Sequence, residues 1–170
     1  TEHFFTYKIP KKKLFKVCLI GNDYERYGVQ GKKKKTTTLK IYKRLLNILQ
    51  HDNSREYDVF YKKHPSEQWI GEVSKKVSFI DRNKSDSIDI FFGVSSTLLS
   101  DLASERRCVI QITSKDLTMD RYEDYGICKT IDIDFLEKNG PKFLSQDKVT
   151  IPFLKSKNLS NMLVDILKDK

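Results

Sequence analysis

The chain has 170 residues, 38% of them apolar and 32% charged, with a formal net charge of +9. That is enough for one domain with a real core and too little for two comfortable ones. No run reaches the ~18 apolar residues that mark a membrane span, and the start, Thr1-Glu2-His3-Phe4-Phe5, lacks the apolar stretch of a secretion signal.

The surplus of 32 Lys and Arg over 23 Asp and Glu suits an anionic partner such as nucleic acid, an anionic membrane surface or a phosphorylated substrate. Much of it sits in Lys11–Lys13 and Lys32–Lys35, runs that most often are solvated loops. Cys18, Cys108 and Cys128 are far apart and odd in number, and Cys18 and Cys108, inside apolar strand-like runs, read as reduced core residues of a cytosolic protein.

Residues 1–13, ending in Pro10 and three lysines, read as a tail or linker, and the absence of a starting Met fits a fragment of a longer protein. Residues 14–170 form the domain. Leu14–Ile20 (LFKVCLI) is the first strand, bounded by Gly21-Asn22-Asp23. The polar loop Asn22–Lys35 is long for a compact domain and points to a binding loop or disorder. Thr36-Thr37-Thr38 then caps an amphipathic helix over Leu39–Gln50, with Leu39, Tyr42, Leu45, Leu46 and Leu49 on one face.

Tyr57–Tyr61 is the second strand and runs into Lys62-Lys63-His64-Pro65. The residue before proline is biased away from helix, so His64 is held extended at the strand's end. Trp69–Ser74 reads as a turn or short helix, and Val77–Ile80 as a weak third strand. Ile88–Phe92 is the fourth strand; it passes through Gly93 and Val94 into Ser95-Ser96-Thr97, and Leu98, Leu99, Leu102 and Ala103 follow at helical spacing. Cys108–Thr113 and Ile127–Ile131 complete the strands. Phe135–Lys138 is a brief helix stopped by Asn139-Gly140-Pro141, and Asn158–Lys168 repeats helical spacing.

Buried strands alternating with helices, without hairpin turns, predict an α/β fold: a mostly parallel sheet of about six strands covered on both faces. Ligands of such sheets bind beyond the carboxyl ends of the strands. Gly21, His64 and Gly93–Thr97 all fall at predicted strand ends, so they should share one edge of one crevice.

The first turn, IGNDYERYG, is not a dinucleotide fingerprint, and no Walker-type loop occurs. His3, His51 and His64 are scattered and no Cys pairs at two-residue spacing, so no metal site is expected. Ser95 and Ser96 lack the G-x-S-x-G elbow of a hydrolase. What remains is anion binding: hydroxyls and backbone N–H groups at a helix start, with His64, Lys62 and Lys63 opposite. The plainer reading makes Ser95 or Ser96 only an N-cap and His64 only a strand-end residue.

KKHP at Lys62–Pro65 together with FFGVSSTLLSDLA at Phe91–Ala103 resembles the HP and SS motifs of bacterial sialyltransferases and polysialyltransferases. The resemblance implies a three-layer, Rossmann-like domain: the C-terminal, donor-binding half of a glycosyltransferase-B fold, making surface polysaccharide or lipooligosaccharide. It implies that His64 binds the phosphate of CMP-sialic acid and assists the departing group, as the one catalytic residue here. Lys63, Pro65, Ser95, Ser96 and Thr97, with Gly21, Asn22 and Gly93 at the strand ends, would form the rest of the donor site. No metal or other cofactor is implied, since positive charge and helix-end donors stabilise the leaving phosphate. The implied partners are a CMP-linked donor, a glycan acceptor, the enzyme's N-terminal half and an anionic membrane surface, but no nucleic acid, with a location in the cytoplasm at the inner face of the cell membrane. Similar pairs occur in polymerases that use CDP-glycerol, which is the alternative donor.

The family's catalytic base lies in a D/E-D/E-G motif that this chain lacks, because Glu123-Asp124 is followed by Tyr125. The chain alone is therefore expected to bind donor without turning it over. Two rival classes remain: a basic nucleic-acid-binding module, suggested by Lys32–Lys35 beside Tyr24 and Tyr27, and a flavodoxin-like interaction domain whose serines merely cap a helix.

Overall fold

The computed structural model describes residues 3–9, 11–22, 38–65, 67, 76–80, 86–117, 119–145 and 148–153. The expectations for Tyr24, Tyr27, Lys32–Lys35, Trp69–Ser74 and Asn158–Lys168 lie outside these residues. In chain order the elements are β1 (His3–Lys8), β2 (Leu14–Ile20), α1 (Thr38–Gln50), β3 (Glu56–Lys62), β4 (Ser78–Phe79), β5 (Ile90–Gly93), α2 (Thr97–Ser104), β6 (Val109–Thr113), β7 (Lys129–Asp132), α3 (Ile133–Asn139) and β8 (Lys148–Phe153).

Six strands form one sheet in the order β4-β3-β2-β5-β6-β7, and every pairing is parallel. This is the strand order of a doubly wound, Rossmann-like domain. Parallel neighbours require crossovers, which deposit helices on the faces and bury the strands on both sides. Strand β2 shows the result. Phe15, Val17 and Leu19 pack with Tyr42, Leu45 and Leu49 of α1 and Leu136 of α3, whereas Cys18 and Ile20 pack with Leu99 and Leu102 of α2. The layers are helix, sheet, helix.

Helix α1 carries its buried stripe at Ile41, Tyr42, Leu45, Leu46, Ile48 and Leu49, adding Ile41 and Ile48 to the predicted face, while Leu39 is only partly buried. Arg44 ties α1 to α3: its Nε meets Glu137 at 2.6 Å and its Nη2 meets Asp134 at 2.6 Å. These hydrogen bonds hold both carboxyl groups below the usual carboxylate range. On the opposite face α2 ends in a Schellman motif, with the Arg107 N–H on Leu102 and the Arg106 N–H on Ala103. Arg106 takes the left-handed position with φ of 61°.

Cys18 and Cys108 are core residues, as expected, and Cys128 joins them: all three are buried and free, and burial pushes their thiols up to about 12. Residues His3–Lys8, within the stretch read as a tail or linker, form a strand that pairs antiparallel with β8. This two-stranded ribbon stands apart from the main sheet. Among the described residues no helix is long and apolar enough to cross a membrane.

Candidate functional site

The chain leaves β2 outward through β3 and β4, then returns to lay β5 on the other side of β2. That reversal is the topological switch point, where open α/β sheets form their ligand crevice. The register puts Ile20 level with both Lys62 and Gly93. Gly21-Asn22, Lys63-His64-Pro65 and Val94–Thr97 therefore emerge beyond one edge, as the element order predicts. Since β3 and β5 flank β2, their ends stand about 10 Å apart by ordinary strand spacing.

The turn after β3 is braced from within. His64 donates its backbone N–H to Oε2 of Glu67 at 3.1 Å, and the Glu67 N–H returns to the His64 carbonyl at 3.0 Å. The Glu67 side chain thus makes the return bond of a capping box, while the backbone bond closes an i to i+3 turn. Oε1 of Glu67 accepts the Tyr61 hydroxyl at 2.6 Å. The turn after β2 presses on this unit, because Gly21 donates to the Lys62 carbonyl at 2.8 Å and a Cβ there would lie 2.9 Å from the His64 nitrogen. Gly21 thus serves a close backbone approach. Asn22 is buried and accepts the Thr38 hydroxyl at 3.3 Å, and Tyr42 donates its hydroxyl to the Ile20 carbonyl. His64 and Lys62 are half-buried, Lys63 and Pro65 exposed.

The turn after β5 is braced from a distance. Ser96 is the N-cap of α2, with its Oγ accepting from the Leu98 N–H at 3.3 Å. Its own N–H donates to the Tyr122 hydroxyl at 3.2 Å. Tyr122 is held by Gln111, a fully buried amide in the middle of β6. Gln111 accepts from the Tyr122 N–H and the Thr130 hydroxyl at 2.8 Å each, and donates to the Val94 and Asp120 carbonyls at 3.1 and 3.0 Å. Gly93 is required by packing, since a Cβ there would lie 2.7 Å from the methyls of Leu99.

Capping and anion binding are compatible at Ser96. A hydroxyl has one donor and two acceptor sites, and among the described residues no hydrogen bond uses the Ser96 O–H as donor or engages the Ser95 hydroxyl. Ser95 and Ser96 are half-buried and Thr97 is exposed at the first helical position. The edge thus offers hydroxyl donors on one side of β2 and a histidine with two lysines on the other, a set that can hold an oxyanion. Among the described residues no cluster of His, Cys, Asp and Glu could hold a metal ion.

Glu67, Gln111 and Tyr122 escaped the sequence reading. Glu67 had a signal, a proline and then a glutamate one and three positions after His64. Gln111 showed as a lone amide inside CVIQIT. Tyr122 had none, because it meets Ser96 only through the fold. Glu123, of the acidic pair, is tied to Lys129 at 2.5 Å and Arg121 at 3.4 Å. A cavity of 560 Å³ lies at the other end of the strands, where Tyr57, Val59 and Val77 line it with Leu46 and Arg55. No protein-family model, no curated protein and no solved structure matches the chain.

Proposed function

We propose that this chain is the donor-binding, glycosyltransferase-B-type half of a bacterial transferase that uses a CMP-linked sugar, CMP-sialic acid foremost, to build surface polysaccharide or lipooligosaccharide. The observation that carries the reading is the switch-point register, with His64 and the Ser95-Ser96 pair just past the ends of the two strands flanking β2. A phosphate spanning that gap takes hydrogen bonds from Ser95, Ser96 and Thr97 on one side and from His64 on the other. Lys62 and Lys63 supply positive charge. As bond cleavage builds charge on the CMP phosphate, these donors stabilise it without a metal ion, and His64 donates a proton or hydrogen bond to the departing oxygen. The acceptor's base is absent from these residues, so the chain holds donor and does not transfer it.

Calorimetric titration with CMP, CDP and short oligonucleotides tests the reading. Saturable CMP binding that disappears in His64→Ala and Ser96→Ala is expected. A preference for CDP moves the donor toward CDP-glycerol. Binding of oligonucleotide alone, with affinity falling steeply in salt, sinks the proposal in favour of a nucleic-acid module.

A further inference from the structure

Glu67 belongs to neither motif, yet it lies against the turns after both β2 and β3. It is only 9% exposed. A carboxylate so far from water is costly unless donors compensate it. Tyr61 and the His64 backbone are among those donors, the first through a fully buried phenol packed edge-on against Tyr42. A Cβ on Gly21 would stand 2.3 Å from Oε2 of Glu67, so the turn after β2 rests on the same carboxylate. One buried carboxyl group therefore touches the turn after β2 and carries the turn after β3. Ending a strand does not require this: an apolar residue at position 67 would leave no charge to compensate.

We infer that Glu67 is a positioning residue, which sets the His64 turn against Gly21 so that the histidine faces the donor phosphate. Tyr61 acts through it by fixing one of its oxygens. The consequence for binding rests on the nucleotide reading above; the positioning itself does not.

The test uses the full chain with Glu67→Gln, Glu67→Asp, Tyr61→Phe and the Glu67→Gln/Tyr61→Phe pair. Glutamine keeps the size but cannot accept at both ends, so CMP affinity should fall about tenfold, the scale of one hydrogen bond to a charged group. Tyr61→Phe should weaken CMP binding less, and the pair no more than Glu67→Gln alone, because the two residues form one unit. Glu67→Asp, which keeps the charge, should recover part of the loss. Without ligand, the His64 amide and imidazole NMR signals should shift in Glu67→Gln while those of Ser95 and Ser96 stay in place. A plain structural brace predicts lower melting temperatures with unchanged CMP affinity well below them, and that result overturns the inference, as do unmoved His64 signals. If the unmodified chain binds no CMP, the nucleotide reading falls, and the His64 signals still decide whether Glu67 positions the turn.

Discussion

The two turns that flank β2 reach the same sheet edge by opposite means. After β3 the support is local: Glu67, three residues on, carries the His64 backbone. After β5 it is remote: Tyr122 holds the Ser96 backbone and is itself held by Gln111 on another strand. A local brace forms with its own turn. A remote one couples the serine pair to the packing of β6 and β7, so damage far from the edge should reach Ser96 and leave His64 untouched.

The glycines break this comparison first if it is wrong. Gly21→Ala drives a Cβ against backbone atoms that cannot step aside. Gly93→Ala meets the branched end of the buried Leu99 side chain and no backbone atom among its three nearest neighbours. Urea unfolding should give a loss of about 3 kcal/mol for the former and nearer 1 kcal/mol for the latter; equal losses would mean that the two turns are equally yielding. Next comes Gln111→Leu, which strands several buried partners and should cost roughly 2–4 kcal/mol. In that variant hydrogen exchange should quicken at the Ser96 amide and not at His64. Ser96→Ala removes a cap and should cost about 1 kcal/mol, whereas Ser95→Ala should stay within about 0.5 kcal/mol. Both should weaken CMP binding, and a Ser95→Ala chain that binds normally would confine the site to Ser96. The last effect is a gain: Arg106→Gly relieves a left-handed backbone and should add about 0.5–1 kcal/mol, read as a raised urea midpoint.

Local patterns carried most of the main sheet. The apolar runs at Leu14–Ile20 and Tyr57–Tyr61 are strands to within a residue or two, because β-branched and aromatic runs advertise strands by composition, even where, as in β3, burial is only partial. The helix after Gly93 was legible from its hydroxyl cap and leucine spacing. The alignment of Gly21, His64 and Gly93 followed from element order, since parallel α/β topology leaves few alternatives. The polar supports were not legible. Gln111, Tyr122 and Thr130 lie far apart in sequence and meet only once β6 and β7 are paired, and no local periodicity encodes such a meeting. His3–Lys8 was missed for a related reason, as its pairing partner lies near the other end of the chain.

That ribbon has a consequence for the order of assembly. Each crossover of the main sheet joins strands tens of residues apart, but β1 meets β8 across about 150 residues, with His3 opposite Phe153. Closing so large a loop brings little reward until the sheet between has already condensed. The ribbon should therefore zip last and open first, a clasp on a finished domain, with its amides exchanging well ahead of those of β2 at the centre.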